Sequence, residues 1–205
     1  MGVSQPYLSL LENGKRKLTR ELAEKIAEVL ELPPEKLPFE TDWKDLPERN
    51  NDELAETLAT LGYPKFSHLR KGKIRNPVEV LFSALKKENL DSRIAEGLPW
   101  LVFTFPKMDW ETLVRYAKMF DLQNRLGFVV TLARQLAEKV NDEQKAKYLS
   151  EVEKTLENSR LFNEAVLSNK SITEVEKKYL RKNRPKEAKH WRVLSDLSIN
   201  HLDYV

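Results

Sequence analysis

Apolar residues recur three and four positions apart along almost the whole chain, which is the spacing of one buried face on an α-helix. Leu22, Ile26 and Val29 hold this spacing, and so do the apolar residues within 122–137. Residues 100–103 alone would also suit a buried strand, although helix is the favoured interpretation. We predict an all-α protein, and an irregular multi-helix bundle because no repeat occurs at a fixed period.

Start and stop signals divide the pattern into helices. The clearest start is Asn76-Pro77-Val78-Glu79, which offers an N-cap, a proline at the first helical position and a glutamate in the first turn. Further N-caps are predicted at Ser4, Thr19, Asp91, Asp109, Asp121 and Thr173, and stops at Asn13-Gly14, Pro33-Pro34 and Gly62. The last three helices are predicted over residues 142–159, 173–182 and 186–202.

Composition excludes several classes of protein. The chain has 205 residues, 40% of them hydrophobic, which is enough for a buried core. No stretch approaches 18 consecutive apolar residues and no secretory signal is visible, so we expect a cytoplasmic protein with no membrane partner. The absence of cysteine excludes disulfides, thiolate zinc sites and iron–sulfur ligation.

Positive charge is unevenly distributed. Residues 15–20 contain four bases and residues 65–75 contain five, whereas residues 41–64 are acidic. Such clusters are candidates for phosphate contact, and for the second cluster a solvated loop is an equally good interpretation. Residues 38–51 are punctuated by proline and contain Trp43, which indicates a linker or packing arm between regions 1–37 and 52–205.

The N-terminal motif carries the most specific signal. The sequence Gly2-Val3-Ser4-Gln5-Pro6-Tyr7-Leu8-Ser9-Leu10-Leu11-Glu12-Asn13-Gly14-Lys15-Arg16-Lys17, with the helix that ends at Leu32-Pro33-Pro34, resembles the second half of an Xre/Cro-type helix-turn-helix domain. The resemblance covers residues 1–37. It implies a partial DNA-binding region in which the first of these helices is the recognition helix.

The resemblance also implies a role for each exposed residue of the motif. Ser4, Gln5 and Pro6 would read base edges, with Gln5 suited to a bidentate contact with adenine. Leu10 would touch a thymine methyl group or sense DNA shape. Tyr7 and Ser9 would face phosphates or groove walls, and Asn13, Lys15, Arg16 and Lys17 would contact phosphates.

The motif departs from the family because the first helix and most of the second are missing before Met1. Glu12 would then lack its usual arginine partner, and a buried unpaired acid would favour rearrangement or fraying of the first helix. Val3, Leu8 and Leu11 are expected in the core. A start codon assigned too late explains the departure, and the alternative is a degenerate helix that now binds a partner.

Four later motifs resemble the C-terminal region of bacterial helix-turn-helix regulators of the antitoxin kind: Leu61-Gly62-Tyr63-Pro64, Arg75-Asn76-Pro77, Leu98-Pro99-Trp100-Leu101 and Asp121-Leu122-Gln123-Asn124-Arg125-Leu126-Gly127. That resemblance implies a domain that neutralises a neighbouring toxin. Gln123, Asn124 and Arg125 interrupt an apolar face, which indicates either a satisfied buried network or a partner contact.

No catalytic pattern occurs. His68, His190 and His201 are scattered, and neither a phosphate-binding glycine loop nor a nucleophile elbow is present. Glu151 and Glu153 fit exposed helix faces, and Trp43, Trp100, Trp110 and Trp191 are expected to be core or interface anchors. We therefore predict neither enzyme activity, nor a metal site, nor a cofactor.

These observations predict a DNA-binding transcriptional regulator, a repressor that acts by occupying an operator in double-stranded DNA. Residues 52–205 would form a dimerisation or partner-binding domain, and a homodimer would place its recognition helices about 34 Å apart. The alternative is a protein-interaction module, an antitoxin whose C-terminal helices neutralise a toxin.

Overall fold

The computed structural model describes residues 4–39, 48–168 and 173–203. Within these ranges 64% of the residues are helical and the only sheet has two short strands, which confirms the all-α prediction. The α-helices are α1 (Gln5–Glu12), α2 (Arg20–Val29), α3 (Asn51–Leu61), α4 (Pro77–Lys86), α5 (Ser92–Thr104), α6 (Trp110–Met119), α7 (Gln123–Lys139), α8 (Glu143–Glu157), α9 (Glu174–Asn183) and α10 (Lys186–His190).

Short elements complete the architecture. Three 3₁₀ turns occupy Pro34–Lys36, Pro64–Leu69 and Ile199–His201. Two-residue strands β1 (Ala165–Val166) and β2 (Val193–Leu194) pair in parallel. No helix in the described ranges is long and apolar enough to cross a membrane.

Most of the predicted helix starts are confirmed. The Asn76 side chain accepts a hydrogen bond from the Val78 backbone amide at 2.9 Å, and Thr173 and Glu176 form a reciprocal capping box. Residues 100–103 lie within α5. Asp121 is an exception, because its φ of 56° places it in the left-handed region and Leu122 is the N-cap of α7.

The predicted helix over 186–202 is wrong. Helix α10 ends at His190, and Arg192 takes a φ of 53°, which turns the chain away from the helix axis. The Ala165 amide then donates to the Arg192 carbonyl at 2.9 Å, and β2 begins. This turn allows the Trp191 ring to enter the core. If the helix continued, the ring would lie in a different position.

Helix α7 lies at the centre of the core. It packs against α5, α6, α8 and α10, while α3 and α4 form a further group against α5. Apolar side chains of α7 such as Leu126, Val129 and Leu132 are fully buried. A helix buried around so much of its circumference requires neighbours on nearly every side.

The closest approach to α7 is made by Trp191. A Cβ atom placed on Gly127 would meet the ring of this tryptophan at 2.3 Å, so only glycine leaves room for it. The fully buried indole Nε1 donates to Thr131 Oγ1 at 2.7 Å, and that hydroxyl donates to Glu153 Oε1 on α8 at 2.6 Å. Glu153 is therefore half-buried in a network, which corrects its expected exposure.

A second network settles the role of the polar residues at the start of α7. Asn124 is fully buried: its Nδ2 donates to the carbonyls of Leu161 and Asn163, and its Oδ1 accepts from the Leu161 amide. Arg125 Nη1 donates to the Leu85 carbonyl at 2.6 Å. Gln123 is buried as well, but its Oε1 has no hydrogen-bond partner among the described residues. Asn124 and Arg125 therefore serve internal packing rather than a partner contact.

Two of the predicted tryptophan anchors are confirmed, because Trp100 and Trp191 are buried. Trp110 is half-buried and donates from Nε1 to the Pro106 carbonyl at 2.7 Å. The prediction for Trp43 lies outside the described residues.

We predict that Gly127→Ala will lower the free energy of unfolding by about 2 kcal/mol or more, measured by urea denaturation. The added methyl group overpacks the core against Trp191, and this cost exceeds the gain of about 1 kcal/mol in helix propensity. In a Trp191→Leu background the same substitution should cost much less. Equal costs in the two backgrounds would show that the tryptophan contact is not the cause.

Candidate nucleic-acid interface

Helix α1 presents the predicted base-reading residues to solvent. Ser4 is its N-cap, but the Ser4 hydroxyl makes no capping hydrogen bond, and Pro6 lies in the first turn. The exposed residues of the predicted site are Ser4, Gln5, Pro6, Ser9, Leu10, Asn13, Lys15, Arg16 and Lys17, and Tyr7 is half-buried. The structure therefore collects the predicted residues on one helix and the turn after it.

The inner side of α1 differs from the expectation. Leu8 and Leu11 are only half-buried, and no described residue of α1 is buried, so their assignment to the core is wrong. An eight-residue helix covered on one side leaves its apolar stripe partly open. Glu12 is exposed, which removes the expected cost of a buried unpaired acid. Val3 lies outside the described residues.

The turn after α1 is fixed by its backbone. Gly14 has a φ of 66°, and the amides of Lys15 and Arg16 both donate to the Leu10 carbonyl. The Arg16 guanidinium lies 5.0 Å from the centre of the Tyr7 ring, a cation–π contact. These contacts hold the basic turn against the helix.

Two of the predicted contact residues bond to each other. Asn13 Nδ2 donates to the Ser9 carbonyl at 2.7 Å and lies 3.3 Å from the Ser9 hydroxyl. The Asn13 side chain thus caps the C-terminal end of α1. A phosphate contact by either side chain would have to coexist with this bond or replace it.

Helix α2 follows the basic turn. The Thr19 hydroxyl accepts from the Leu22 amide, as the N-cap prediction required. Small side chains, Ala23 and Ala27, form its buried side. Val29 and Leu30 remain more than half exposed. The helix is amphipathic, and the side chains on its buried side are small.

Residues after α2 are joined to the rest of the chain at the start of α4. Asn76 is 1% exposed, and its Nδ2 donates to the Leu37 carbonyl at 2.7 Å and to the Glu35 carbonyl at 3.3 Å. Its Oδ1 caps α4 at the same time. Phe39 packs against the main core. One side chain therefore uses both ends of its amide to connect the two regions.

At least three of the five bases in the stretch 65–75 make contacts within the chain. Lys65 pairs with Glu96 at 3.0 Å, Arg70 Nε donates to the Ala59 carbonyl, and Arg75 lies 3.9 Å from Glu79. These contacts favour the structural interpretation of this cluster over phosphate binding.

An open groove of about 640 Å³ lies between α6 and α8. Its apolar lining comes from Trp110, Val114, Tyr148 and Val152. Its edges carry charges of both signs, from Arg115, Lys118, Glu111 and Glu151. The groove is apolar at its base and charged at its rim.

Comparison with known proteins agrees with the N-terminal geometry. Residues 1–37 match the family model described as helix-turn-helix, which is of the Xre/Cro type. The match covers α1, the basic turn, α2 and the 3₁₀ turn at Pro34–Lys36. This confirms the resemblance and supports a DNA-binding transcriptional regulator. No curated protein matches the chain, and no solved structure does.

We predict that Asn76→Ala will lower the free energy of unfolding by about 1 kcal/mol through loss of the N-cap, and will also release residues 34–39. Hydrogen–deuterium exchange should show faster exchange in those residues. Asn50→Ala is the matched control, because Asn50 caps α3 through the Glu53 amide. Equal exchange of residues 34–39 in both variants would contradict the connection.

Proposed function

We propose that the chain is a repressor that occupies an operator through α1, with residues 52–205 serving dimerisation or partner binding. The supporting observation is the coincidence of the helix-turn-helix match with an exposed N-terminal end of α1 that carries the polar side chains of Ser4 and Gln5. A recognition helix needs such side chains to approach base edges.

The individual contacts follow from this arrangement. Gln5 in the first turn of α1 offers an amide that pairs with both adenine hydrogen-bonding groups in the major groove. Leu10 supplies an apolar contact and no hydrogen bond, so few bases are read directly by hydrogen bonds. Lys15 and Lys17 in the basic turn are exposed cations that can contact phosphates. The Arg16 cation is positioned by Tyr7.

We expect Gln5→Ala combined with Lys15→Ala to weaken binding to the operator about tenfold or more, because one base contact and one phosphate contact are lost. The probe is the promoter region upstream of the protein's own gene, and affinity is read by fluorescence anisotropy at fixed salt. The matched control is Gln144→Ala with Lys147→Ala, the same residue types exposed on α8. Unchanged affinity in the α1 variant would refute base reading by this helix.

A second candidate function is favoured by the groove between α6 and α8. An apolar groove with a charged rim suits an amphipathic helix of a partner protein. In this candidate the C-terminal helices neutralise a toxin encoded alongside the gene. The buried Gln123, Asn124 and Arg125 take no part in it, so the groove carries the proposal.

Co-production with the product of the neighbouring gene tests this candidate. We expect Lys118→Glu with Tyr148→Glu to restore growth arrest, because both exposed side chains border the groove. Lys139→Glu with Val140→Glu at the end of α7 changes one exposed lysine and one exposed apolar residue, neither of which lines the groove, and should leave protection intact. A neighbouring product that never arrests growth, or a groove variant that still protects, contradicts the candidate.

A further inference from the structure

The largest local excess of positive charge lies near the C-terminal end of the chain. Residues 177–192 contain eight lysines or arginines and a single acid, Glu187. The whole chain has a net charge of only +3, so the rest of the chain is net acidic. This segment runs from α9 through α10 to Arg192, the residue before β2. A local excess of this size attracts polyanions.

Acidic residues neutralise only the inner part of this charge. Glu164 pairs with Arg181 at 2.8 Å and with Arg184 at 3.0 Å. Glu174 pairs with Lys177 at 2.7 Å. The Glu164 pairs attach α9 to the segment just before β1, whereas the Glu174 pair lies within α9, and Lys186 lies 3.9 Å from Glu187.

The outward face of α9 is both basic and partly apolar. Val175, Lys178, Tyr179 and Lys182 fall three, four and seven positions apart, which places them on one side of the helix. Val175 is 76% exposed and Tyr179 is 63% exposed, and both lysines are exposed. Glu174 lies at the edge of this face, four positions before Lys178, and is the acid that interacts with it. Lys186 and Lys189 extend the exposed charge into α10.

Helix stability explains only part of this arrangement. Cations in the last turn of a helix interact well with its dipole, which accounts for Lys182, and Glu174 is an opposite charge four positions before Lys178. Lys178 and Lys182 are also like charges at i and i+4, a pairing that destabilises a helix. A bound polyanion would relieve that repulsion.

We propose that Val175, Lys178, Tyr179, Lys182, Lys186 and Lys189, the α9 surface, bind the phosphate backbone of duplex DNA without sequence preference. The lysines neutralise phosphates, while the tyrosine supplies a hydroxyl donor and a ring that packs against sugars. This inference rests on the proposed function only in choosing DNA as the polyanion. Its contribution is affinity, whereas base reading belongs to α1.

The test uses the full chain and a labelled duplex of random sequence, followed by fluorescence anisotropy over a series of salt concentrations. Lys178→Gln, Lys182→Gln and Lys189→Gln are combined in one variant. We expect affinity at low salt to fall about tenfold or more, and the slope of log affinity against log salt to decrease by about 2 to 3, since each phosphate contact contributes about 0.9. The thermal unfolding midpoint should not change, because all three side chains are exposed.

The control variant combines Lys139→Gln, Lys147→Gln and Lys154→Gln, which removes the same charge from exposed positions on α7 and α8. We expect its affinity to stay within about twofold of the parent. Equal losses in the two variants would overturn the proposal, because they would reflect net charge alone. Full affinity in the α9 variant would also overturn it.

Two further experiments distinguish this inference from RNA binding and from base reading by α1. Duplex RNA bound more tightly than duplex DNA, and lost in the α9 variant, would overturn the assignment to DNA. Gln5→Ala with Lys15→Ala should retain most of its affinity for random duplex. The α1 variant could also keep full affinity for the operator while the α9 variant loses affinity for random duplex. That result would support DNA binding by the α9 surface and contradict base reading by α1.

Discussion

The contact between Trp191 and Gly127 determines how the C-terminal part of the chain is attached. The tryptophan ring lies against the backbone of α7 at a distance that excludes any Cβ atom, and its indole is bonded to Thr131. Thr131 in turn reaches Glu153 on α8. Because Trp191 also ends α10, the contact fixes where α10 stops and where β2 begins.

Local signals were sufficient to predict most of the helices. Asn76 and Thr173 cap helices as expected because capping depends on residues within one turn. The segment 186–202 was not predictable in this way. Its sequence is compatible with a helix until Trp191, and what ends the helix is the burial of that ring against Gly127, sixty-four positions earlier in the chain. Periodicity cannot report a contact of such long range.

The candidate site also has a part that local sequence predicts and a part that depends on the fold. The helix-turn-helix motif was visible because its residues are contiguous, and the structure places them on α1 and the turn after it. The burial of Leu8 and Leu11 was overestimated, since a motif records which side faces inward but not how much covers it. The basic α9 surface was missed although charge counting over 177–192 would have found it. Which of its lysines are free of Glu164 depended on the fold.

Asn76 connects the α1–α2 region to α4 by hydrogen bonds from a single side chain. Its amide nitrogen holds residues after α2 and its oxygen caps α4, so a change in the orientation of α4 moves the point at which the α1–α2 region is attached. Helix α4 also packs against α5 and α6, and α6 forms one wall of the groove. A continuous set of packed elements therefore runs from the groove to the segment that carries α1, the proposed recognition helix. Occupancy of the groove would alter DNA binding only to the extent that a ligand prefers one orientation of α4 over another.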